Sequence, residues 1–256
     1  MKKPINYKLY LILILLCQAN FLLSQNPISP PGVYIADPAA HVWEDGRLYV
    51  YGSLDETTDY YCSHRHHVLS TDNMLDWTLH RNVFASKGEN DQVAYSDSLL
   101  YAPDCMYKDG SYYLYYTLAS PEQTEGVATS KNPEGPFKNG RDIDLHGFNQ
   151  IDPATIRDSI VTEDEHFFHE GGYLVKRNDI YGGVIIDNDH SDPSVWNNHG
   201  SIVEFNGQWY VFYHRATHGS VMMRKACVEP IEFNKDGAIT EVEMPQDINI
   251  STLRKE

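Results

Sequence analysis

The residue in this sequence whose surroundings most favour acid–base chemistry is Glu170. It directly follows Phe167, Phe168 and His169, and a carboxylate among aromatic side chains is poorly solvated, which raises its pKa. A carboxylic acid that keeps its proton near neutral pH can serve as a general acid. The same neighbourhood also fits a strand-end glutamate that has a hydrogen-bond partner. The pattern around Glu170 alone therefore leaves both interpretations open.

Two aspartates share a second pattern. Asp37 and Asp152 each stand between an apolar residue and a proline. Taken alone, an Asp-Pro pair is better explained by a turn that opens a strand. Together with Glu170, however, these aspartates make three isolated carboxyl groups that each open a β-like segment. A prediction of the fold should account for all three.

The elements that could position these carboxyl groups are β-hairpins. Alternating aromatic runs flank a short turn, mostly Asp-Gly or Asn-Gly, in residues 41–51, 106–115, 173–181 and 201–212. Such turns between alternating runs are strong hairpin signals, and repeated hairpins predict an all-β propeller. The first strand of each blade lines the central channel of a propeller. The polar residues just upstream of the hairpins are therefore predicted to meet at one end of the axis; they are Asp37, Asp104, Glu170 and His199.

The composition limits the kinds of molecule that the protein is expected to bind. The 256 residues suffice for one large all-β domain, and the 18 tyrosines suit half-buried strands around a polar cleft. The formal net charge of −16 argues against nucleic acid, whose phosphates require clusters of lysine and arginine. It argues equally against anionic membrane surfaces. An acidic protein rich in aromatic residues is compatible with neutral sugars.

The N-terminal residues 1–24 are predicted to be a secretory signal peptide, which leaves 25–256 as the mature domain. Three lysines precede the apolar run 9–17, and Asp37 is the first acidic residue. This run is too short, and wrongly flanked, for a retained membrane span. The mature chain is therefore expected to be secreted or periplasmic. Its odd number of cysteines favours buried thiols over a disulfide framework; they are Cys62, Cys105 and Cys227.

Seven motifs, taken in order, make the sequence resemble glycoside hydrolase family 43. They are Asp37-Pro38, Tyr-Ala-Pro-Asp at 101–104, 126–130 with 135–137, Ile-Asp-Pro at 151–153, Phe-His-Glu-Gly at 168–171, 198–202 and 209–215. Each motif is weak alone, but the ordered set covers nearly the whole mature chain. The resemblance implies a five-bladed β-propeller that acts on an oligo- or polysaccharide. It further implies inverting hydrolysis of arabinose- or xylose-containing glycans.

The resemblance also implies a role for individual residues. Asp37 matches the general base, Glu170 the general acid, and Asp152 the carboxylate that tunes and orients the acid. An inverting enzyme needs room for water between base and acid, about 6.5–9.5 Å. Tyr101 stands where relatives often carry tryptophan and is predicted to form a sugar-stacking wall, with core burial as the alternative. Arg224 is predicted to reach substrate hydroxyls, with a solvated strand position as the alternative.

The expectation for cofactors rests on His199, which matches an axial histidine that lies near a bound calcium ion or water in the family. No cofactor is required for the reaction that the resemblance implies. Calcium is the only ion that the resemblance suggests. Histidine is a poor direct ligand for calcium, which prefers oxygen, so the contribution of such an ion is expected to be modest.

The sequence departs from the family pattern in blades three and four. Strands that relatives carry are missing after residue 158 and again after residue 183, so both blades are predicted to be truncated. Shortened blades leave unpaired sheet edges close to Asp152 and Glu170, which predicts marginal stability and weakened activity. The alternative to an active glycosidase is accordingly a non-catalytic sugar-binding propeller or an inactive remnant of such an enzyme.

Overall fold

The computed structural model describes residues 26–120, 125–143, 185–186, 199–217, 219–235 and 237–242. All regular secondary structure in these residues is β, as predicted. The strands are β1 (Tyr34–Val42), β2 (Leu48–Asp55), β3 (Arg65–Thr71), β4 (Thr78–Ala85), β5 (Leu100–Lys108), β6 (Ser111–Leu118), β7 (Glu125–Ser130), β8 (Lys138–Asp142), β9 (Gly200–Phe205), β10 (Gln208–Thr217) and β11 (Ser220–Ile231). Among the described residues no helix has the length and apolar character needed to cross a membrane.

The strands form three antiparallel sheets that are arranged as propeller blades. Their orders are β1-β2-β3-β4, β5-β6-β7-β8 and β9-β10-β11. The first strand of the first sheet, β1, contacts both β5 and β9, the first strands of the other two. First strands that meet in this way are expected for blades around a common axis, which confirms the predicted all-β propeller.

Two parts of the prediction lie outside the described residues. Residues 144–184 and 187–198 hold the predicted blades three and four together with Asp152 and Glu170. The truncation of these blades and the geometry of the two carboxyl groups therefore stay predictions. The same holds for the signal peptide, because the first 25 residues are also outside the described part.

Three of the four predicted hairpins are described, and their turns explain the sequence signal. The β5–β6 and β9–β10 turns place two consecutive residues at positive φ; these are Asp109 (50°) with Gly110 (74°), and Asn206 (52°) with Gly207 (80°). Asparagine, aspartate and glycine tolerate this conformation best. The β1–β2 turn is longer, and there only Gly46 has a positive φ, 77°. The fourth hairpin, 173–181, lies outside the described residues.

The two largest apolar clusters of the described residues lie on opposite faces of the first sheet. One cluster joins it to the second sheet and includes Tyr51, Phe84, Leu114, Tyr116 and Phe137. The other joins it to the third sheet and includes Ile35, Leu48, Leu69, Phe205 and Phe212. Burial of large side chains on both faces fixes the position of β1, which carries Asp37. Cys62, Cys105 and Cys227 are buried thiols, as predicted.

The segment just before β1 packs against the last described sheet. The backbone N–H of Ile28 donates to the carbonyl of Ala226 in β11 (2.9 Å). The N–H of Val228 donates to Oδ1 of Asn26 (2.8 Å). The start of the described chain thereby covers part of the edge of β11, which would otherwise be left unpaired.

A buried lysine anchors this segment. Nζ of Lys225 donates to the carbonyl oxygens of Pro30 (2.7 Å), Val33 (2.6 Å) and Ser29 (3.5 Å), and it lies 4.6 Å from the centroid of the Tyr34 ring. Burial lowers the pKa of Lys225 to about 8. The ammonium group thus satisfies carbonyl groups that would otherwise be buried without a donor.

Replacing Lys225 by methionine is expected to lower the free energy of unfolding by about 1–3 kcal/mol, because the buried carbonyl oxygens lose their donor. Chemical denaturation measures this loss, and limited proteolysis should show faster cleavage within 26–33. Lys87→Met is the matched control, since Lys87 is exposed and pairs with the exposed Asp97 at 3.4 Å. Superimposable denaturation curves for Lys225→Met and the unaltered chain would contradict the anchoring role.

Candidate active site

Asp37 projects from an irregularity in the innermost strand of the first sheet. The register of β1 on β2 shifts between Ala36 and Ala39, and Asp37 itself has a φ of 52°. Aspartate is among the few residues that adopt this left-handed conformation, and the following Pro38 has no N–H to lose from the ladder. A bulge of this kind re-aims a side chain. The Asp-Pro pair is thus a local distortion that turns one carboxylate out of the strand pattern.

The carboxylate of Asp37 is held on both oxygens. Ser53 Oγ donates to Oδ2 (2.6 Å), and Arg224 Nη1 donates to Oδ1 (3.1 Å). Nδ1 of His214 lies 3.1 Å from the backbone nitrogen of Asp37 and 3.3 Å from Oδ1. Nδ1 of His214 can accept a hydrogen bond from the backbone N–H of Asp37. In the tautomer that carries a proton on Nδ1, it can instead donate to Oδ1 of Asp37. The side chain is therefore fixed in position by groups from three strands.

These contacts determine the charge of Asp37. Burial on its own would raise the pKa of the carboxyl group, but the Arg224 guanidinium and His214 lower it by more, so the pKa lies well below its ordinary value. A buried carboxylate is therefore ionised at neutral pH and can accept a proton. This is the state that a general base requires.

Arg224 lies within the site rather than in solvent. Arg224 is only 2% exposed, so the alternative interpretation, a solvated position on a strand, is wrong. The guanidinium contacts Asp37 through Nη1 (3.1 Å) and Asp55 through Nη2 (2.9 Å). Direct contact between Arg224 and substrate hydroxyls stays a prediction.

His199 lies beside Asp37, as the predicted convergence at one end of the axis requires. Its Nδ1 is 3.7 Å from Oδ1 of Asp37. Burial lowers the pKa of His199, and the opposing effect of Asp37 does not offset it, so the imidazole is neutral at neutral pH. The convergence is confirmed for this pair, whereas Glu170 lies outside the described residues.

Asp104, the third upstream residue that is described, forms a separate contact on β5. Its Oδ1 is 2.6 Å from Nε2 of His41 on β1, and the His41 ring stacks on Trp43 with centroids 4.9 Å apart. Asp104 is fully buried and acts electrostatically on His199. The dyad of His41 and Asp104 therefore joins the inner strands of the first two sheets near the site.

Tyr101 is half-buried at the start of β5. Its carbonyl oxygen lies 2.9 Å from Nε2 of the buried His66, which fixes the backbone at this point. The ring is neither enclosed in the core nor fully exposed. A stacking contact between Tyr101 and a sugar stays a prediction.

The described residues do not form a calcium cage. Calcium takes 6–8 oxygen ligands, whereas His199 contributes a nitrogen, and Asp37 is already engaged by Arg224 and Ser53. Within the described ranges no group of three or more histidine, cysteine, aspartate or glutamate side chains could hold a metal ion. The predicted calcium ion therefore finds no direct ligand set in this part of the chain.

Several residues of the site were not singled out by sequence reasoning. His214 lies in the 209–215 motif that carries the family resemblance, so that motif could have pointed to it. Ser53 and Asp55 lie within β2, a strand that is buried throughout, and nothing in their local sequence marks them. Their role becomes clear only from two contacts, that of Ser53 with Asp37 and that of Asp55 with Arg224 in β11. Arg224 lies 169 residues after Asp55 along the chain.

Comparison with known proteins gives a consistent set of relatives. The sequence profile of the glycosyl hydrolases family 43 matches residues 24–162. A xylosidase/arabinosidase of Thermoclostridium stercorarium is 27% identical over 317 residues, covering 86% of this chain and 66% of that protein. The xylosidase/arabinosidase 43A of Humicola insolens is 33% identical over 176 residues, covering 63% and 51%. The chain thus spans about half to two-thirds of the length of these curated relatives.

Solved structures give the same picture for the fold. A GH43 β-xylosidase/α-arabinofuranosidase from a compost microbial metagenome, solved with xylotriose in a calcium-free form, superposes with a TM-score of 0.69 at 24% identity. The match covers 86% of this chain and 97% of that one. A GH43_1 enzyme from Xanthomonas citri gives a TM-score of 0.63 at 21% identity, covering 89% and 96%. These similarities confirm the predicted five-bladed β-propeller.

Proposed function

Because this chain belongs to glycosyl hydrolase family 43, we propose that it is a glycoside hydrolase that cleaves arabinose- or xylose-containing glycans with inversion. The observation that carries the proposal is Asp37, a buried carboxylate that Arg224 keeps ionised at the inner end of the first blade. The choice of sugar is supported by the relatives, several of which are named xylosidase/arabinosidase.

In the proposed mechanism Asp37 removes a proton from the water that attacks the anomeric carbon. Its Oδ2 accepts one hydrogen bond from Ser53 and its Oδ1 accepts from Arg224. A carboxylate has about four lone-pair sites, so one on Oδ2 can still accept the proton of water. Ser53 and Arg224 hold the carboxylate plane while this transfer occurs, which keeps the base aimed at a single position.

Glu170 is proposed to protonate the leaving oxygen on the opposite face of the sugar. An inverting pair needs about 6.5–9.5 Å between its carboxyl groups so that water fits between them. Asp152 is proposed as the third carboxylate, which raises the pKa of Glu170 by like-charge repulsion. Tyr101 is proposed to stack on the sugar and Arg224 to contact its hydroxyls.

The proposed reaction needs no cofactor, since two carboxyl groups and water suffice. A calcium ion near His199 would be an accessory ion, held by water or by residues outside the described part. The substrate is proposed to be an oligo- or polysaccharide. A signal peptide at 1–24 is proposed to send the enzyme to the periplasm or the medium, where such glycans are encountered.

Hydrolysis by residues 25–256 is expected to invert the anomeric carbon, because Asp37 activates water and does not attack the sugar. Aryl α-L-arabinofuranoside and aryl β-D-xyloside are the substrates, and proton NMR during the first minutes identifies the anomer before mutarotation. Net retention would contradict the assignment of Asp37 as a base. Calorimetric binding of xylotriose without any turnover would instead favour the sugar-binding propeller.

A further inference from the structure

Asp55, at the end of β2, is the anchor of the arginine in this site. The residue is buried, and its carboxylate accepts three hydrogen bonds from Arg224, through the backbone N, Nε and Nη2, each 2.9 Å long. The two side-chain bonds form the fork that a guanidinium makes with a carboxylate. A fork of this kind fixes both the position and the plane of the guanidinium.

The fork determines which nitrogen of Arg224 is available to the base. With Nε and Nη2 engaged by Asp55, Nη1 is directed at Oδ1 of Asp37 (3.1 Å). Asp55 and Asp37 therefore bind opposite edges of one guanidinium. The position of the positive charge relative to Asp37 follows from the position of Asp55.

Asp55 also holds the segment that covers this arginine. Its Oδ1 accepts from the backbone N–H of Cys62 (3.0 Å), and Cys62 Sγ lies 3.3 Å from Arg224 Nη2. The neighbouring Tyr61 ring has its centroid 4.7 Å from Cζ of the guanidinium. Exclusion of water strengthens electrostatic interactions, so this cover increases the effect of Arg224 on Asp37.

We propose that Asp55 is a positioning residue of the active site, which fixes the guanidinium of Arg224 against the carboxylate of the base Asp37. The inference rests on the proposed function, in which Asp37 is the base. Asp55 itself does not touch the reacting atoms; it acts through Arg224.

The other groups around Asp37 do not duplicate the charge of Arg224. The titratable or charged groups that face it are Asp55 on β2, Tyr61 and Cys62 in the β2–β3 loop, His66 on β3, His199 before β9, His214 on β10 and Arg224 on β11. Among these described groups, Arg224 alone carries a permanent positive charge. Displacement of Arg224 is therefore expected to raise the pKa of Asp37.

The test is Asp55→Asn in residues 25–256. The amide keeps the shape of the side chain but replaces one acceptor with a donor, which opposes the Arg224 fork. Because an opposite charge at this distance lowers a carboxyl pKa by about 1–3 units, the pKa of Asp37 is expected to rise by about one unit or more. Carbon-13 NMR of the Asp37 carboxyl group, assigned with Asp37→Asn, measures this pKa without any substrate.

The kinetic counterpart is a pH profile of kcat/KM on an aryl glycoside. The acid limb of Asp55→Asn is expected to move to higher pH, so the loss of activity grows as the pH falls. A purely structural defect would lower the rate without moving that limb. Asp72→Asn is the matched control, because Asp72 is exposed and pairs with Arg47 at 3.0 Å; its profile is expected to match that of the unaltered chain.

A second variant covers the case in which Asp55→Asn does not fold. Arg224→Lys keeps the charge but has no fork to bridge Asp55 and Asp37, so the Asp37 pKa is expected to rise in it as well. An unchanged Asp37 pKa in either folded variant would overturn the role of Asp55. Absence of hydrolysis by the unaltered chain would instead count against the proposed function, while the NMR titration would still decide the positioning role.

Discussion

Asp37→Asn is expected to lower kcat/KM by about 10²–10⁴-fold, the usual contribution of a positioned general base. The loss should be the same for aryl glycosides with good and with poor leaving groups, because the base acts on water and not on the leaving oxygen. The asparagine retains the shape that Ser53 and Arg224 contact. Initial rates with a series of substituted aryl β-D-xylosides or α-L-arabinofuranosides measure the effect.

The variant is expected to remain folded, which separates lost chemistry from lost structure. Arg224 keeps its three hydrogen bonds to Asp55 when Asp37 is neutral, so the buried guanidinium is still paired. Asp97→Asn serves as the control, since Asp97 is exposed and pairs with Lys87 at 3.4 Å. A folded Asp37→Asn protein within about tenfold of the unaltered rate would remove Asp37 from the role of base.

The sequence predicts the part of the site that depends on local signals. The turn residues at 109–110 and 206–207 predict hairpins, and hairpins in series predict blades whose first strands meet. That logic brings His199 to within 3.7 Å of Asp37. The Asp-Pro pair at 37–38 is predicted to open a strand, but the structure places it inside β1, at a register shift where Asp37 has a φ of 52°.

The rest of the site depends on pairings between distant segments. Nothing near Asp55 in sequence distinguishes it from its buried neighbours in β2, because its function comes from Arg224, 169 residues later. For Arg224 the sequence predicts contact with substrate hydroxyls and leaves a solvated strand position as the alternative. Its pairing with Asp37 and Asp55 follows only once β11 is placed against β1 and β2. Side-chain networks that join separate blades leave no periodic signal in either strand, and therefore sequence patterns do not predict them.

Two carboxylates of the site, Asp37 and Asp55, share one guanidinium, that of Arg224. The excess negative charge bears on the proposed acid, because a further carboxyl group brought near two carboxylates is harder to ionise. The proposed Asp152 would add to this effect. In this arrangement Arg224 keeps the base ionised, and the neighbouring carboxylates are expected to keep the acid protonated. Acid–base catalysis needs two groups whose pKa values are separated in this way.

Glu170→Gln is expected to lower kcat/KM by about 10²–10⁴-fold on xylo- or arabino-oligosaccharides, whose leaving hydroxyl must be protonated. The loss should be far smaller on 2,4-dinitrophenyl glycosides, because their leaving group departs as a stable anion. The basic limb of the pH profile should also vanish, since it reports the ionisation of the acid. Glu89→Gln, which changes an exposed glutamate, is the control. Equal losses on both kinds of substrate, or an unchanged basic limb, would show that another group supplies the proton.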